Sequence, residues 1–298
     1  MFLKQQDFYK SLTTRHPGVV ERVRKLIEES EKRSSGRKSA APGFLWEHTV
    51  LVASLAFRMA KSEKEDADLA ALTALFHDSG KFSGGRYHRD EKPEEEAAAR
   101  LAREILEDAG FEMAAVGHVV RALRSLYNGN GRRNRLADII HDADFLSKSG
   151  LLGVAEFFVK STLRGRNLGT AIMSHLSKEL TYASVLPQNM RTESGRGLAR
   201  RKSEETLRFH RAFLAELKKV HGLDFRIRTA DVRIKEGRRR LKILLVTPAT
   251  CDSCGQGWEL DFRTEKGVKC ERLEASVKCA GCGTRHEIDF CLPEIAAK

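Results

Sequence analysis

Long apolar runs are missing from this chain of 298 residues. No stretch approaches the roughly 20 apolar residues that a membrane-spanning helix needs, so a helical membrane protein is excluded. The N-terminus, Met-Phe-Leu-Lys-Gln-Gln-Asp, lacks the charged-then-apolar build of a secretory signal, and a cytoplasmic protein is the expectation. Aromatic residues make up only 7%, so an extended platform for stacking nucleic-acid bases is not expected. Cysteine is absent before Cys251, and all six cysteines lie between it and Cys291. A disulfide framework across the chain is thereby excluded. Such a cluster in a cytosolic chain reads as metal binding. Internal repeats are also lacking.

What is present is a soluble, globular composition, with 32% charged and 41% hydrophobic residues, at a length sufficient for two domains and a buried core. The net charge is +12 and unevenly spread: Arg196–Arg240 holds fifteen Lys or Arg against six Asp or Glu. A local basic field favours phosphates, nucleotides or nucleic acid, and a merely solvated surface is the competing explanation.

Apolar spacing predicts a run of helices. They cover residues 17–32, 44–61, 67–77, 93–109, 114–126, 136–149, 153–163, 170–186 and 197–221. Residues 33–43 and 82–93 carry turn chemistry, and Asn-Gly-Asn-Gly at 128–131 separates two helices. Ser79-Gly80 is expected to stop its helix as a glycine cap. After Gly222 the pattern changes: residues 224–234 alternate and Lys242–Thr247 is β-branched, which suggests a hairpin turning at Glu236-Gly237. The expected fold is mainly α, followed by a small β-rich domain. The division is 1–39 helix and linker, 40–222 helical domain, and 223–298 hairpin and cysteine domain.

Four residues in the helical part stand out. His48 lies on an otherwise apolar face, His77-Asp78 ends a buried helix, and Asp144 follows in Asp142-Ala-Asp144-Phe-Leu. Singly, each has an ordinary explanation: a hydrogen-bonded core histidine, a histidine at a helix C-terminus, a partly exposed acid. Together they place charges among apolar helices, where an unpaired charge is costly and a divalent cation would be the missing partner. Two imidazoles and two carboxylates suit Mn, Fe, Co, Ni, Zn or Mg without selecting among them.

The order His48 … His77-Asp78-Ser-Gly80-Lys81 … Asp144 resembles the HD-domain family of metal-dependent phosphohydrolases. The first run is close to that family's His-Asp-x-Gly-Lys, and Asp142-Ala-Asp144-Phe-Leu is similar to its Asp-Ala-Asp-Arg-Leu. Residues 94–106 and 192–214 resemble further helices of the family, so the likeness covers about residues 40–220. It implies an all-helical domain with one divalent metal held by His48, His77, Asp78 and Asp144, hydrolysing a phosphoester or phosphoanhydride through metal-activated water. Asp142 is placed behind the ligands, an assignment that can be exchanged with Asp144. The resemblance departs in two respects. Ser125 occupies the place of a further family histidine, with His118 two turns earlier. The Gly-Tyr-Pro signature of the cyclic-dinucleotide branch is absent. A single catalytic metal is therefore expected. Asp78 is expected to touch both metal and nucleophile. Lys81 is either a catalytic point charge for phosphate or a solvated loop lysine. Arg86, His88 and Arg89 are candidate substrate clamps on a glycine-rich loop.

Cys251-x-x-Cys254 and Cys279-x-x-Cys282, each followed by glycine, are separated by twenty-four residues. Four thiolates suit tetrahedral zinc, and the pattern resembles a zinc ribbon whose metal is structural. Cys270 and Cys291 read as strand residues, and a redox dithiol is the weaker alternative. The resulting functional expectation is a phosphohydrolase acting on a nucleotide or related small phosphate, with nucleic acid a candidate partner of the basic C-terminal module through Arg238, Arg239 and Arg240. The alternative is a nucleic-acid- or protein-binding adaptor that binds metal or nucleotide without turnover.

Overall fold

The computed structural model describes residues 3–34, 43–81, 94–126, 134–163, 165–234, 239–251, 253–266 and 271–291. Arg86, His88, Arg89, Cys270, Arg238 and the expected turn at Glu236-Gly237 lie outside them. The chain is mostly helical and ends in a small antiparallel β region. Among the described residues no helix is long and apolar enough to cross a membrane.

Two compact units form. The first takes in Met1–Lys148 and returns for Met190–Leu198; the second takes in Ser149–Asn189 and the chain from Ala199 onward. Helix gives way to strand between His221 and Phe225, beside the composition change at residue 222, whereas compactness divides the chain elsewhere. The physical reason is packing: helices that precede the change share a core with the strands that follow it.

The first unit contains α1 (Leu3–Arg15), α2 (Val19–Ser34), α3 (Phe44–Glu63), α4 (Ala67–Phe76), α5 (Glu94–Asp108), α6 (Met113–Ser125) and α7 (Arg135–Ser147). Helix α1 was not expected, because its sequence carries little apolar periodicity. Helix α3 starts at Gly43, which adopts φ +87°. Glu31 of α2 accepts the Gly43 and Leu45 amides at 2.8 and 2.9 Å, satisfying donors a helix start leaves open. Asp66 and Asn134 cap α4 and α7 by accepting from Leu69 N and Ala137 N. Helix α4 is apolar all round and buried from Ala70 to Phe76, as a core helix must be. Its rigid C-terminal end delivers His77 and Asp78.

The second unit contains α8 (Gly150–Leu163), α9 (Leu168–Ala171), a π-helical turn (Ile172–Leu176), α10 (Ser177–Asn189) and most of α11 (Glu193–His221). Its strands are β1 (Phe225–Ile234), β2 (Arg239–Pro248), β3 (Trp258–Lys266), β4 (Glu271–Cys279) and β5 (Arg285–Cys291). Strands β1 and β2 form the expected hairpin, with Phe225 opposite Pro248 and Ile234 opposite Arg239. The other three form an antiparallel sheet in the order β3-β4-β5. The free edge of β2 is covered by α10. Ser177 Oγ accepts from Val246 N at 2.9 Å, and Thr181 Oγ1 accepts from Leu244 N and donates to Leu244 O. Two hydroxyls one helical turn apart thus satisfy an edge that would otherwise invite a further strand. The cysteine region also contributes to an apolar core. Trp258, Leu273, Val277 and Ile288 join Val232, Leu241, Ile243 and Leu245 of the hairpin and Val185 of α10 in one buried cluster.

Candidate metal centre

Helices α3, α4 and α7 bring four predicted residues together. His48, His77 and Asp78 each offer a ligand atom within 4.8 Å of the others. Asp144 Oδ1 lies 3.1 Å from His48 Nε2 and 3.7 Å from His77 Nε2. Asp78 Oδ2 lies 3.6 Å from each of the same two nitrogens. All four residues are buried.

The two imidazoles are oriented by partners on their far sides. His77 Nδ1 lies 2.7 Å from Ala74 O. A carbonyl only accepts, so the proton sits on Nδ1. Ser147 Oγ donates to Asp144 O at 2.7 Å and lies 3.3 Å from His48 Nδ1. With its single proton committed, that hydroxyl accepts, and His48 also carries its proton on Nδ1. Both Nε2 atoms therefore present lone pairs to one point. Neither nitrogen has a hydrogen-bond partner. Buried polar atoms left open in this way need a ligand to satisfy them.

The residues fit a divalent cation. Donors about 2.1 Å from one ion lie about 3.0 Å apart at right angles and about 3.4 Å apart in a tetrahedron. The imidazole-to-carboxylate distances here, 3.1–3.7 Å, begin within that range and run slightly beyond it. Burial opposes ionisation of Asp78, yet His77 and Lys81 hold its carboxyl below the ordinary value. Burial likewise opposes ionisation of Asp144, and Lys148 with His48 outweighs it. His48 is pushed down by burial. His77 is pushed the same way by burial but ends above its ordinary value because of Asp78 and Asp144. The site thus holds anionic carboxylates beside nitrogen donors.

Lys81 lies at the centre: its Nζ donates to Asp78 Oδ2 at 2.7 Å and its side chain is only 13% exposed, so it is not a solvated loop lysine. Lys148, unremarked in the sequence, stands 2.7 Å from Asp144 Oδ1 one helical turn on. That i,i+4 spacing was the available signal. Ser147 was also missed, and Asp144-x-x-Ser147 on one helix was its only trace. Gly80 is not the expected left-handed cap. A side chain there would put Cβ 2.2 Å from Glu94 O and 2.8 Å from Ala98 N. Its role is to let the start of α5 pass close behind the His77-Asp78 turn.

Asp142 is fully buried and faces a different neighbour. It accepts from Arg191 N, Thr192 N and Thr192 Oγ1, the last two at 2.7 Å. Thr192 in turn accepts from Gly195 N, and Glu63 accepts from Ser194 N. The two carboxylates fasten the beginning of α11. The histidine beside Asp142 is His141, 2.9 Å away. His118 is exposed on α6, and Ser125 Oγ donates to Ala122 O.

The second cluster comprises Cys251, Cys254, Cys279 and Cys282, whose sulfurs all fall within 4.8 Å of one another. Cys251 Sγ is 3.5 Å from Cys282 Sγ, and Cys254 Sγ is 3.3 Å from Cys279 Sγ. Sulfurs about 2.3 Å from one tetrahedral zinc would lie about 3.8 Å apart. The two knuckles repeat one geometry. The first cysteine amide of each donates five residues on, to Gln256 O or Thr284 O, and its carbonyl accepts from Gly255 N or Gly283 N. Those glycines adopt φ +73° and +76°, which other residues resist. The Thr284 hydroxyl, 3.0 Å from Cys282 Sγ, leads in pulling that thiol down to about 6.

A model of the HD domain matches residues 45–149. An HD-superfamily hydrolase from an uncultured Thermotogales bacterium is 23% identical, covering 66% of this chain and 91% of its own, with a TM-score of 0.48. A Bacillus thuringiensis HD-superfamily hydrolase is 19% identical over 67% of this chain and 98% of its own, with a TM-score of 0.49. Bacillus subtilis YpgQ, solved in complex with ADP, is 21% identical over 65% and 98%, with a TM-score of 0.45. No curated protein matches.

Proposed function

We propose that this chain is an HD-type, metal-dependent phosphohydrolase that cleaves a phosphoester or phosphoanhydride bond of a nucleotide or related small phosphate. The carrying observation is the convergence of two unpartnered Nε2 lone pairs with Asp78 and Asp144 on one buried point, within the segment that matches the HD domain. His48, His77, Asp78 and Asp144 would hold the divalent cation. When bound, the cation polarises a phosphoryl oxygen and makes a water more acidic. Ala74 and Ser147 keep the Nδ1 protons in place, so the imidazoles act as donors of lone pairs and not of protons. Asp78, kept ionised, orients the attacking water by accepting its hydrogen bond. Lys81, beside Asp78, supplies a positive charge to a phosphate oxygen. Arg86, His88 and Arg89 are assigned to the same substrate as clamps. The four cysteines would hold a structural zinc in a ribbon, leaving no position open for chemistry.

The test is a metal-by-substrate screen over nucleoside mono- and triphosphates, cyclic nucleotides and a generic phosphodiester. Hydrolysis should require added divalent metal and should fall at least about a hundredfold in Asp78→Ala, with the thermal midpoint of the metal-free protein retained. Metal-loaded protein that binds nucleotide without turning over any of these substrates would overturn the enzyme reading in favour of an adaptor.

A further inference from the structure

The basic excess is carried by α11 more than by the cysteine region. Between Cys251 and Cys291 the chain holds eight Asp or Glu against six Lys or Arg, so the ribbon is mildly acidic. On α11, Arg200, Arg201, Arg208, Arg211, Lys218 and Lys219 are all exposed. At about 100° per residue these six fall within one arc of about 100°, and the arc extends about 28 Å along the helix. Glu204 is the one acid on it. Lys218 pairs with Asp224 at 2.8 Å. Among the described residues, the other five form no ion pair. Arg208 and Arg211 are neighbours three apart, a like-charge arrangement that weakens a helix unless an anion offsets it. The face continues onto β1, because Arg211, Lys218 and Arg226 line one groove, in which Asp224 is the acid.

The residue types on this arc narrow the partner. There is no Asn, Gln or aromatic side chain among its positions, so it offers neither base-edge readout nor stacking. Phe209 and Phe213 lie off it and stack on each other. A straight, rigid row of guanidinium and ammonium groups matches evenly spaced phosphates, and a duplex presents those without requiring stacked single bases.

We propose that this face of α11, with Arg226, binds the phosphate backbone of a double-stranded nucleic acid without sequence preference. The proposal is independent of the hydrolase reading. Its test is fluorescence anisotropy of the full-length protein with a labelled 20-base-pair duplex from 50 to 300 mM salt, repeated with the double variant Arg208→Gln, Arg211→Gln. Each phosphate contact contributes about 0.9 to the slope of log affinity against log salt. The variant should therefore lose about 1.8 from that slope and bind about sixtyfold more weakly at 0.1 M salt, with an unchanged thermal midpoint. Duplexes of unrelated sequence should bind alike, and the single strand more weakly. An unchanged slope in the variant, no duplex binding at 50 mM salt, or binding only to anionic phosphatidylserine vesicles would each overturn the proposal.

Discussion

Ser147→Ala isolates the orientation of one imidazole in the proposed metal site from the proposed ligands themselves. In the native arrangement, the Ser147 hydroxyl gives its proton to Asp144 O and accepts from His48 Nδ1. Removing it leaves a buried Nδ1–H with no acceptor, at a cost of about 1–3 kcal/mol. The ring escapes that cost by moving its proton to Nε2, which already lies 3.1 Å from Asp144 Oδ1. The metal-free protein then gains a His48–Asp144 hydrogen bond and loses a lone pair. Apo stability should change by less than about 1.5 kcal/mol. Metal affinity should fall about 10- to 100-fold, or about 1.4–2.8 kcal/mol. Competition with a fluorescent chelator measures the affinity directly, without reference to turnover. The gain in thermal midpoint on adding metal should shrink accordingly, because ligand stabilisation scales with the logarithm of concentration over Kd. Ser147→Thr keeps a hydroxyl and should restore most of the affinity. Native-like metal binding by Ser147→Ala, or equal weakening in the threonine variant, would refute the proton assignment.

The remaining predictions concern packing, pH and the cysteine cluster. Gly80→Ala forces a methyl group against the Glu94 carbonyl and Ala98 amide, backbone atoms that cannot rotate away, and should cost about 3 kcal/mol or more in chemical denaturation; a loss below 1 kcal/mol would argue against the close approach of α5. His210 is buried, with edge-on contacts to the Phe157 and Phe209 rings, and burial lowers its pKa to about 4. The folded state therefore binds fewer protons than the unfolded one between that value and the ordinary 6.5. Its contribution is present at neutral pH and is lost as pH falls, by about 2 kcal/mol between pH 7 and 5. His210→Leu should flatten that part of the stability profile, and a profile of unchanged slope would exclude His210 as its source. Cys254→Ser should remove one equivalent of zinc by elemental analysis, and retention of that equivalent would exclude the four-sulfur site.

Legibility in the sequence followed the range of the interactions. Buried helices with regular apolar spacing, such as Phe44–Glu63 and Ala67–Phe76, were readable because each needs only its own stripe to be recognised. The hairpin was readable from its alternation. Helix α1 has a weak stripe, and the π-helical turn at Ile172–Leu176 leaves no compositional trace. Strand β5 begins at Arg285, just beyond the second knuckle, and its partner β4 defines it through a register no local pattern encodes. The convergence of His48, His77, Asp78 and Asp144 was legible because residues proposed to hold one cation must share donor chemistry. What fixes their orientation was not, because Ala74 acts through a carbonyl that every residue has, and Ser147 is one hydroxyl among many.

Asp142 and Asp144 show why residue type alone underdetermines a site. They lie two apart on α7, a spacing that turns them some 200° away from each other on a helix. Asp144 points to the imidazoles, while Asp142 takes the amides of Arg191 and Thr192. The first carboxylate faces two imidazole nitrogens and the Lys148 ammonium; the second spends its acceptors on the Arg191 and Thr192 amides and the Thr192 hydroxyl. Gly195 follows from the second role: a Cβ there would stand 2.3 Å from Asp142 Oδ2. The same side chain, two positions apart, is thus divided between a site that attracts a cation and a junction that fixes the start of a helix. What divides them is the direction each is given by the helix and the number of donors already waiting there.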